Sequence, residues 1–324
     1  MAGPPGLNRA GRATILDVAA AAGVSRQTVT RAMNGMAGIS AATKERVLAA
    51  AEALGYRPSR FGRGLVLGGE RQLGLVVDDL RNPYSPELAA AVVRAAGAHG
   101  WTVMLADVAL AADADRSVVS LGEQTDAVVG YLGERAAEWV GLLGSVPVVE
   151  LDPAGPVPWG AVHLDPSAAV EELAQHLVDV GVRRPVVLDT AGGPSRRAVL
   201  LRAALAARGV DAALSHAAAS TAVAARTVVA GLLDAGEQPD AVLAFNDVMA
   251  LGVLAACRRA GLDVPGDVRV TGVDGLPLGA LLAPTLTTLA VDFAAVAESA
   301  LELAADDPTG SRTVAHHLLL RESA

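Results

Sequence analysis

The sequence predicts a small all-helical module at the N-terminus, followed by a larger α/β region built on parallel sheets. The chain has 324 residues, which is more than one ordinary domain needs. Residues 14–54 show a helical pattern of apolar residues that breaks twice. After residue 72, short apolar runs alternate with alanine-rich helical stretches, as they do in βαβ units. We therefore expect at least two folding units.

Charge is distributed unevenly along the chain. The whole chain carries −9, whereas residues 1–64 carry +6 from nine basic and three acidic residues, which leaves −15 for the rest. A basic segment on an acidic body suits a polyanion that binds at one end only. A solvated face that is basic by chance fits the same numbers, so charge alone leaves nucleic acid binding undecided.

Composition argues against a secreted or membrane protein. A lone cysteine, Cys257, excludes internal disulfides and fits a reducing compartment. The N-terminus has no apolar segment of the kind found in secretory signals, so we expect a cytoplasmic protein. Residues 275–291 are uncharged, but Pro277, Gly279 and Pro284 interrupt them. We therefore expect no membrane span, although the mean hydropathy is +0.39.

Residues 15–34 meet the steric demands of a helix-turn-helix. Thr14 to Asp17 fits a capping box that opens the first helix, and Gly23 provides a tight turn before a new N-cap at Ser25. Ala19 is small enough to let the helices approach, while Val18, Val24, Val29 and Met33 supply a shared apolar core. A generic alanine-rich helical hairpin is the alternative interpretation.

The second of these helices has side chains suited to reading DNA bases. It is predicted to run from Arg26 to Met33 and to stop at Asn34-Gly35, and a third helix follows from Ser40 to about Leu54. Its N-terminal residues would face base edges in the major groove. Arginine bridges guanine and glutamine bridges adenine bidentately, so Arg26, Gln27 and Arg31 are the candidate base-reading residues.

Six apolar runs of the α/β region end in an acidic residue, at Asp79, Asp107, Asp152, Asp189, Asp247 and Asp274. In open α/β sheets, ligands bind outside the carboxyl ends of the strands, so such residues can line a crevice. Any one of them can equally cap the helix that follows. The repetition favours a binding cleft.

Two N-terminal segments resemble the headpiece of the lac repressor family of bacterial regulators. These segments are TILDVAAAAGVSRQTVTRAMNG and ISAATKERVLAAAEALGYRPS. Further along, the family's sensor core is similar to LGLVVDDLRNPYSPEL, to AVLAFNDVMALGVLAACRRAGLDVPGDVRVTGVDG and to the ending LLLRES. The resemblance covers residues 14–324 and is weaker between about 108 and 240. It implies a helix-turn-helix headpiece and a periplasmic-binding-protein-like core of two doubly wound parallel-sheet lobes.

For DNA binding, the resemblance implies a set of positions and a hinge. The family's base-reading positions fall on the three residues named above, and a minor-groove wedge falls on Leu65 in a hinge helix at Ser59 to Leu65. Gly62 and Gly64 depart from the family there and weaken the helix by about 0.8–1 kcal/mol each. The further DNA-binding candidates are Thr14, Ser25, Thr28, Thr30, Asn34, Tyr56 and Arg60.

For ligand binding, the resemblance implies a small-molecule effector between the lobes, such as a sugar. Arg197, Asn246 and Asp274 match effector-contacting positions. Weaker matches fall on Asp79, Tyr84, Asp152 and Phe293. Leu200-Leu201 replaces the family's usual Gly-Phe, Gly275 stands where the family often has Asp or Asn, and residues 210–226 are alanine-rich. These departures leave the identity of the ligand undecided.

The resemblance also implies the domain plan and assembly. We expect a headpiece at 1–57, a hinge at 58–70 and an effector-binding core at 71–324, with lobe 1 at about 71–161 plus 292–316 and lobe 2 at about 162–291 plus the C-terminal segment. No heptad extension follows the family ending, so we expect a homodimer on an approximately palindromic operator, without a cofactor.

Three other classes of protein are alternatives to a DNA-binding repressor. A solute-binding protein would share the core but needs export and no headpiece. An enzyme is disfavoured, because no P-loop, G-x-S-x-G or H-E-x-x-H motif occurs, and the pair His316-His317 does not suggest a metal site. A regulator with a degenerate ligand pocket is the third alternative.

Overall fold

The computed structural model of the protein describes residues 14–33, 38–54, 56, 71–191 and 193–324. Its N-terminal module has the three helices that the sequence predicted, α1 (Ile15–Ala22), α2 (Arg26–Met33) and α3 (Ala41–Ala53). They bury one shared core of Val18, Ala19, Ala22, Val29, Ala32, Val47 and Ala51, with Val24 and Met33 partly buried against it. Because most of these residues are alanine, the helices can approach closely.

Local hydrogen bonds fix the turn between α1 and α2. The backbone N–H of Thr14 donates to Asp17 Oδ2 at 2.6 Å, and Thr14 Oγ1 accepts from the Asp17 backbone, which completes the predicted capping box. Gly23 ends α1 with φ of 64°, a conformation that costs glycine little. Ser25 Oγ then accepts the backbone N–H of Thr28 at 3.1 Å, which begins α2.

The first sheet of the α/β region has the strand order β11-β5-β4-β3-β1-β2. Its strands are β1 (Arg71–Val77), β2 (Trp101–Asp107), β3 (Ala127–Gly130), β4 (Val148–Leu151), β5 (Gly160–Asp165) and β11 (Ser311–Ala315). Strand β1 pairs in parallel with both β2 and β3, and β3 pairs in parallel with β4. The helices along this part of the chain are α4 (Tyr84–Ala98), α5 (Ala114–Gln124) and α6 (Ala136–Leu143).

The second sheet has the order β12-β10-β9-β8-β6-β7. Its strands are β6 (Pro185–Thr190), β7 (Ala213–Ala217), β8 (Ala241–Ala244), β9 (Arg269–Asp274), β10 (Thr287–Ala290) and β12 (His317–Leu319). All its recorded pairings are parallel except that of β12 with β10. The helices along this part are α7 (Ser167–Asp179), α8 (Arg196–Ala206), α9 (Ala222–Asp234), α10 (Asp247–Ala260) and α11 (Phe293–Asp306).

Helices cover both faces of the second sheet. Along β8, Ala241 and Leu243 belong to an apolar cluster with α7 and α8, whereas Val242 and Ala244 belong to a cluster with α9 and α10. Alternate residues of a strand point to opposite faces, so the sheet is doubly wound, as predicted. The strand order reverses at β6 and β8, where a doubly wound sheet leaves a crevice at the carboxyl ends of its strands.

Contacts within the chain group it into two compact units. The first unit is Met1–Asp79, Val92–Ala161 and Ala300–Gly310, and the second is Leu80–Ala91, Val162–Ser299 and Ser311–Ala324. The second unit thus takes in the start of α4, whose Tyr84 ring contacts Phe293. The lobe limits given by the sequence stay a prediction. Among the described helices, none is both long and apolar enough to cross a lipid bilayer.

Gly252 in α10 permits the close approach of α9, and its replacement tests this packing. A Cβ at this position would overlap the backbone carbonyl of Ala222, whereas a Cβ at the exposed Gly231 of α9 would meet no atom within 4 Å. We expect Gly252→Ala to lower the stability by about 1–3 kcal/mol through overpacking. Gly231→Ala should instead raise it by about 0.5–1 kcal/mol. Thermal unfolding followed by circular dichroism measures both, and equal melting temperatures would refute the packing argument.

Candidate functional site

The candidate DNA-reading residues lie on the outer surface of α2. The side chains of Arg26, Gln27 and Arg31 are exposed, as the proposed contact with base edges requires. The Thr30 hydroxyl donates to the Arg26 carbonyl at 3.1 Å, and the Thr28 hydroxyl lies 2.9 Å from Ser25 Oγ. Phosphate oxygens only accept hydrogen bonds, so Thr30 would have to turn its hydroxyl away from the Arg26 carbonyl oxygen in order to donate to the DNA backbone.

The other headpiece candidates have structural roles as well. Thr14 forms the N-cap of α1, where its hydroxyl donates to Asp17 Oδ2 at 2.7 Å. Tyr56 packs partly buried against the headpiece core, and this burial raises the pKa of its phenol. Asn34, Arg60 and Leu65 lie outside the described residues, as does the predicted hinge at 58–70. The DNA-contacting role of each residue stays a prediction.

In the second unit, the structure brings Arg197 close to the carboxyl ends of the central strands. Arg197 is the second residue of α8, directly after the connection from β6. Its Nη1 donates to the carbonyl oxygen of Phe245 at 3.2 Å, and its guanidinium lies 4.8 Å from the centroid of the Phe245 ring. Stacking and a hydrogen bond hold the guanidinium in place, so it is preorganised to bind a ligand.

Asp274 is the most unusual residue of this region. It ends β9, it is 3% exposed, and its φ of 122° lies in a region that residues other than glycine rarely adopt. No described residue donates a hydrogen bond to its carboxyl group. Burial raises the pKa of Asp274 to about 8, while the charge of Arg197 opposes this rise and that of Asp247 adds to it.

Asp247, which was not among the candidate site residues, fixes the backbone after Asp274 and ties it to the neighbouring strand β10. It accepts from the Thr288 hydroxyl at 2.6 Å and from the Leu276 backbone at 2.7 Å. Burial raises its pKa to about 6, although these hydrogen bonds act to lower it. Its position at the end of an apolar run was the available signal, but the run does not reveal these partners.

Gly275 explains one departure from the family pattern. It has φ of 76°, and a Cβ at this position would overlap the side chain and backbone of Ala290. Its backbone N–H donates to Thr288 Oγ1 at 3.2 Å. The Asp or Asn that the family often carries here would need a shift of β10. Glycine therefore fits the neighbouring strand and does not by itself indicate a lost ligand site.

Asn246 caps a helix, and its contact with an effector stays a prediction. Its Oδ1 accepts the backbone N–H of Met249 at 2.8 Å and thereby forms the N-cap of α10. The residue is 3% exposed at the end of β8, next to the Phe245 that stacks on Arg197. With the oxygen used for the cap, the amide nitrogen is the group suited to donate to a ligand.

The aromatic candidates Tyr84 and Phe293 contact each other. Their ring centroids are 5.0 Å apart and their planes are tilted by 58°, and this separation lies in the range of favourable aromatic pairs. Both belong to the second unit, together with Arg197 and Asp274. Asp79 and Asp152 belong to the first unit, where Asp152 follows β4 with a left-handed φ of 46°. The role of these two residues stays a prediction.

Two acidic residues of strands β2 and β6 that were not candidate site residues accept backbone hydrogen bonds from the segments that follow them. Asp107 accepts the backbone N–H of Leu110 at 2.8 Å, and Asp189 accepts that of Ser195 at 2.6 Å. The described residues contain no cluster of three His, Cys, Asp or Glu side chains that could hold a metal ion. His316, which the sequence analysis considered only as part of a metal site, is buried close to Arg197 and Asp165.

Replacing Asp274 by asparagine tests its burial. Because the pKa is raised from about 3.9 in the unfolded chain to about 8, the stability contributed by this group is present below pH 4 and is lost as the pH rises to 8. We expect Asp274→Asn to gain stability over the wild type as the pH rises from 4.5 to 8. Urea unfolding at several pH values measures the difference. The exposed Asp211→Asn serves as control, and a pH-independent difference for Asp274→Asn contradicts the assignment.

Comparison with protein families finds two matches in this chain. Residues 14–59 match the model for bacterial regulatory proteins of the lacI family, and residues 174–323 match the periplasmic binding protein-like domain. The first match covers the helix-turn-helix, and the second covers most of the second unit, including Arg197, Asn246 and Asp274. Both agree with the resemblance found in the sequence.

Curated relatives and solved structures match over most of the chain. The HTH-type transcriptional regulator MalR of Streptomyces coelicolor is 31% identical over 92% of this chain and 90% of its own length. A lacI family transcriptional regulator of Arthrobacter sp. FB24, solved in complex with lactose, is 34% identical with a TM-score of 0.73 and covers 78% of this chain and 99% of its own. The lac repressor dimer bound to operator and the anti-inducer ONPF is 25% identical with a TM-score of 0.70. The match covers 96% of this chain and 99% of the lac repressor chain. The chain therefore belongs to the lacI family of bacterial regulatory proteins and is a DNA-binding transcriptional regulator.

Proposed function

We propose that this regulator is a repressor whose affinity for operator DNA is controlled by a sugar bound in its second unit. The proposal rests on the carboxyl group of Asp274. This group is buried near the guanidinium of Arg197, and no described residue donates a hydrogen bond to it. Such a pair offers an acceptor and several donors at one edge of the sheet. Hydroxyl groups of a sugar both donate and accept, so they satisfy both members.

The relatives support a sugar as the ligand class. The Arthrobacter regulator was solved with lactose, and a further solved relative, the regulator CelR, was solved with cellobiose. Repression is supported by the name of CytR of Escherichia coli, a transcriptional repressor that is similar to this chain. The aromatic pair of Tyr84 and Phe293 adds an apolar surface of the kind that packs on the face of a sugar ring.

We further propose that the chain acts as a homodimer on an approximately palindromic operator. The lac repressor structure supports this, because it is a dimer bound to operator. Two headpieces related by a two-fold axis read two half-sites, which is why such operators are palindromic. In this proposal, residues 58–70 form the hinge and Leu65 is the minor-groove wedge. The protein would work in the cytoplasm, on the nucleoid when bound.

We propose no catalytic role for the acidic residues at the strand ends. The curated relatives are named as regulators. In the structure, Asp107, Asp189 and Asn246 accept backbone hydrogen bonds that begin turns or helices. A ligand can change operator affinity only through different affinities for the DNA-bound and free states, with a coupling of about 1–3 kcal/mol. Binding without chemistry is sufficient for that coupling.

Arg26→Ala tests the assignment of α2 as the recognition helix. We expect this variant to lose about 1–3 kcal/mol of discrimination between its operator and unrelated DNA, because a base contact is removed. Arg226→Ala removes the same charge from the exposed surface of α9 and should keep the discrimination. Footprinting and fluorescence anisotropy at fixed salt, on fragments around the protein's own gene, measure both. Equal behaviour of the two variants would show that α2 does not read the operator.

Arg197→Leu tests the sugar site. We expect its affinity for the sugar to fall about 10-fold to 100-fold, as the loss of a charged hydrogen bond predicts. Arg196→Leu is the matched control, because Arg196 precedes it on the same helix with a side chain that is 62% exposed. Titration calorimetry with sugars selected by thermal shift, beginning with lactose and cellobiose, measures the change. An unchanged affinity in Arg197→Leu would remove Arg197 from the site.

A further inference from the structure

His316 occupies a special place in the fold. It is the single residue between β11, which belongs to the first sheet, and β12, which belongs to the second. Its backbone N–H donates to the carbonyl oxygen of Asp165 at 2.9 Å, which fixes the main chain at this point. The residue is 6% exposed. Its ring is therefore enclosed by protein while its backbone is held by a neighbouring strand.

Among the residues that the structure describes, neither ring nitrogen of His316 has a hydrogen-bond partner. Nδ1 and Nε2 are both buried, and no described residue hydrogen-bonds to either. A buried polar atom without a hydrogen bond costs about 1–3 kcal/mol, so proteins retain few of them without a reason. Two such atoms on one ring point to a partner outside the described residues, such as a bound ligand.

The charge state of the ring decides which partner fits. Burial, together with the charges of Arg197 and His317, lowers the pKa of His316 to about 4, while the backbone and the charge of Asp165 oppose this shift. The ring is therefore neutral near pH 7, with one nitrogen as donor and the other as acceptor. An anion such as a phosphate only accepts, so it would leave one nitrogen unpaired. A hydroxyl group both donates and accepts.

Arg197 connects this ring to the candidate sugar site. The His316 backbone bonds to the Asp165 carbonyl oxygen, and Asp165 Oδ1 lies 3.9 Å from Nη2 of Arg196, which precedes Arg197 on α8. The charge of Arg197 also acts on both His316 and Asp274. All three belong to the second unit. The group thus offers a cation, a carboxyl group and a neutral imidazole, each with hydrogen-bonding capacity that the described residues leave at least partly unused.

We propose that His316 is a specificity-determining residue of the effector site, where its imidazole exchanges hydrogen bonds with hydroxyl groups of an uncharged sugar. This inference rests on the proposed function and narrows it, because it favours neutral polyhydroxylated ligands over phosphorylated ones. A buried water bonded to both nitrogens is the competing occupant. It would be structural and would not respond to ligand.

The first part of the test identifies the ligand class with the full-length wild-type protein. Lactose, cellobiose and ribose are compared with glucose 6-phosphate and ribose 5-phosphate by thermal shift and calorimetry. We expect at least one neutral sugar to bind and the phosphorylated sugars not to bind. If none of these compounds binds, the proposed function fails and the role of His316 fails with it. If a phosphorylated sugar alone binds, the inference about His316 is overturned.

The second part tests His316 separately from the proposed function. With a neutral sugar that binds, His316→Leu should weaken the affinity about tenfold, as a lost hydrogen bond predicts. His316→Gln keeps a donor and an acceptor and should recover part of it. His317→Leu, at the exposed neighbour, should bind like the wild type. Equal sugar binding by all three variants would overturn the role of His316 and leave the proposed function intact.

Nuclear magnetic resonance of the wild type, with histidine labelled with nitrogen-15, makes the test independent of variant folding. We expect both ring nitrogen signals of His316 to shift when the sugar binds, and the neutral form to persist between pH 5.5 and 8. Signals that do not respond to the sugar would assign the ring to a buried water and contradict the proposal.

Discussion

The carboxyl group of Asp274, buried near the guanidinium of Arg197, is the feature on which the candidate site depends. Removing a carboxyl group from water without a hydrogen bond is costly, and here the backbone also takes an uncommon φ. The surroundings compensate for this strain. Asp247 accepts from Leu276 and Thr288, and Thr288 in turn accepts from Gly275. These bonds hold the end of β9 in one conformation, so the carboxyl group is positioned before any ligand arrives.

The topology of the second sheet determines which side chains meet there. Because the strand order reverses between β6 and β8, the segments that follow them leave toward opposite faces. Arg197 follows β6, and Phe245 and Asn246 follow β8, so residues nearly 50 positions apart come together. Asn246 shows how one residue can cap a helix and still face this edge. Binding groups that also stabilise the scaffold are held rigidly, which lowers the entropic cost of binding.

Local sequence signals predicted the headpiece and the alternation of strands and helices. The capping box at Thr14 and the turn at Gly23 depend on neighbours in the chain, and the structure confirms them. Of the six acidic residues predicted at the ends of apolar runs, Asp107 and Asp274 end strands, whereas the other four lie within a strand or after its end. His316 and the hydrogen bonds of Asp247 were not predicted, because they depend on partners far away in sequence. The distance between a histidine ring and an arginine more than 100 residues earlier cannot be read from a sequence pattern.

The antiparallel pairing of β12 with β10 was not predicted either, since the sequence analysis expected parallel sheets. The chain reaches β12 from β11 across a single residue, so no crossover helix separates the two strands. Parallel pairs within one sheet need such a connection, whereas an edge strand arriving from another sheet can pair in either direction.

The most direct test of the account is the thermodynamic coupling between sugar and operator. Operator affinity is measured by anisotropy with and without saturating sugar, and sugar affinity by calorimetry with and without operator. The account predicts that each ligand changes the affinity of the other by the same factor, about 5-fold to 150-fold. A sugar that binds the second unit tightly but leaves operator affinity unchanged would contradict it.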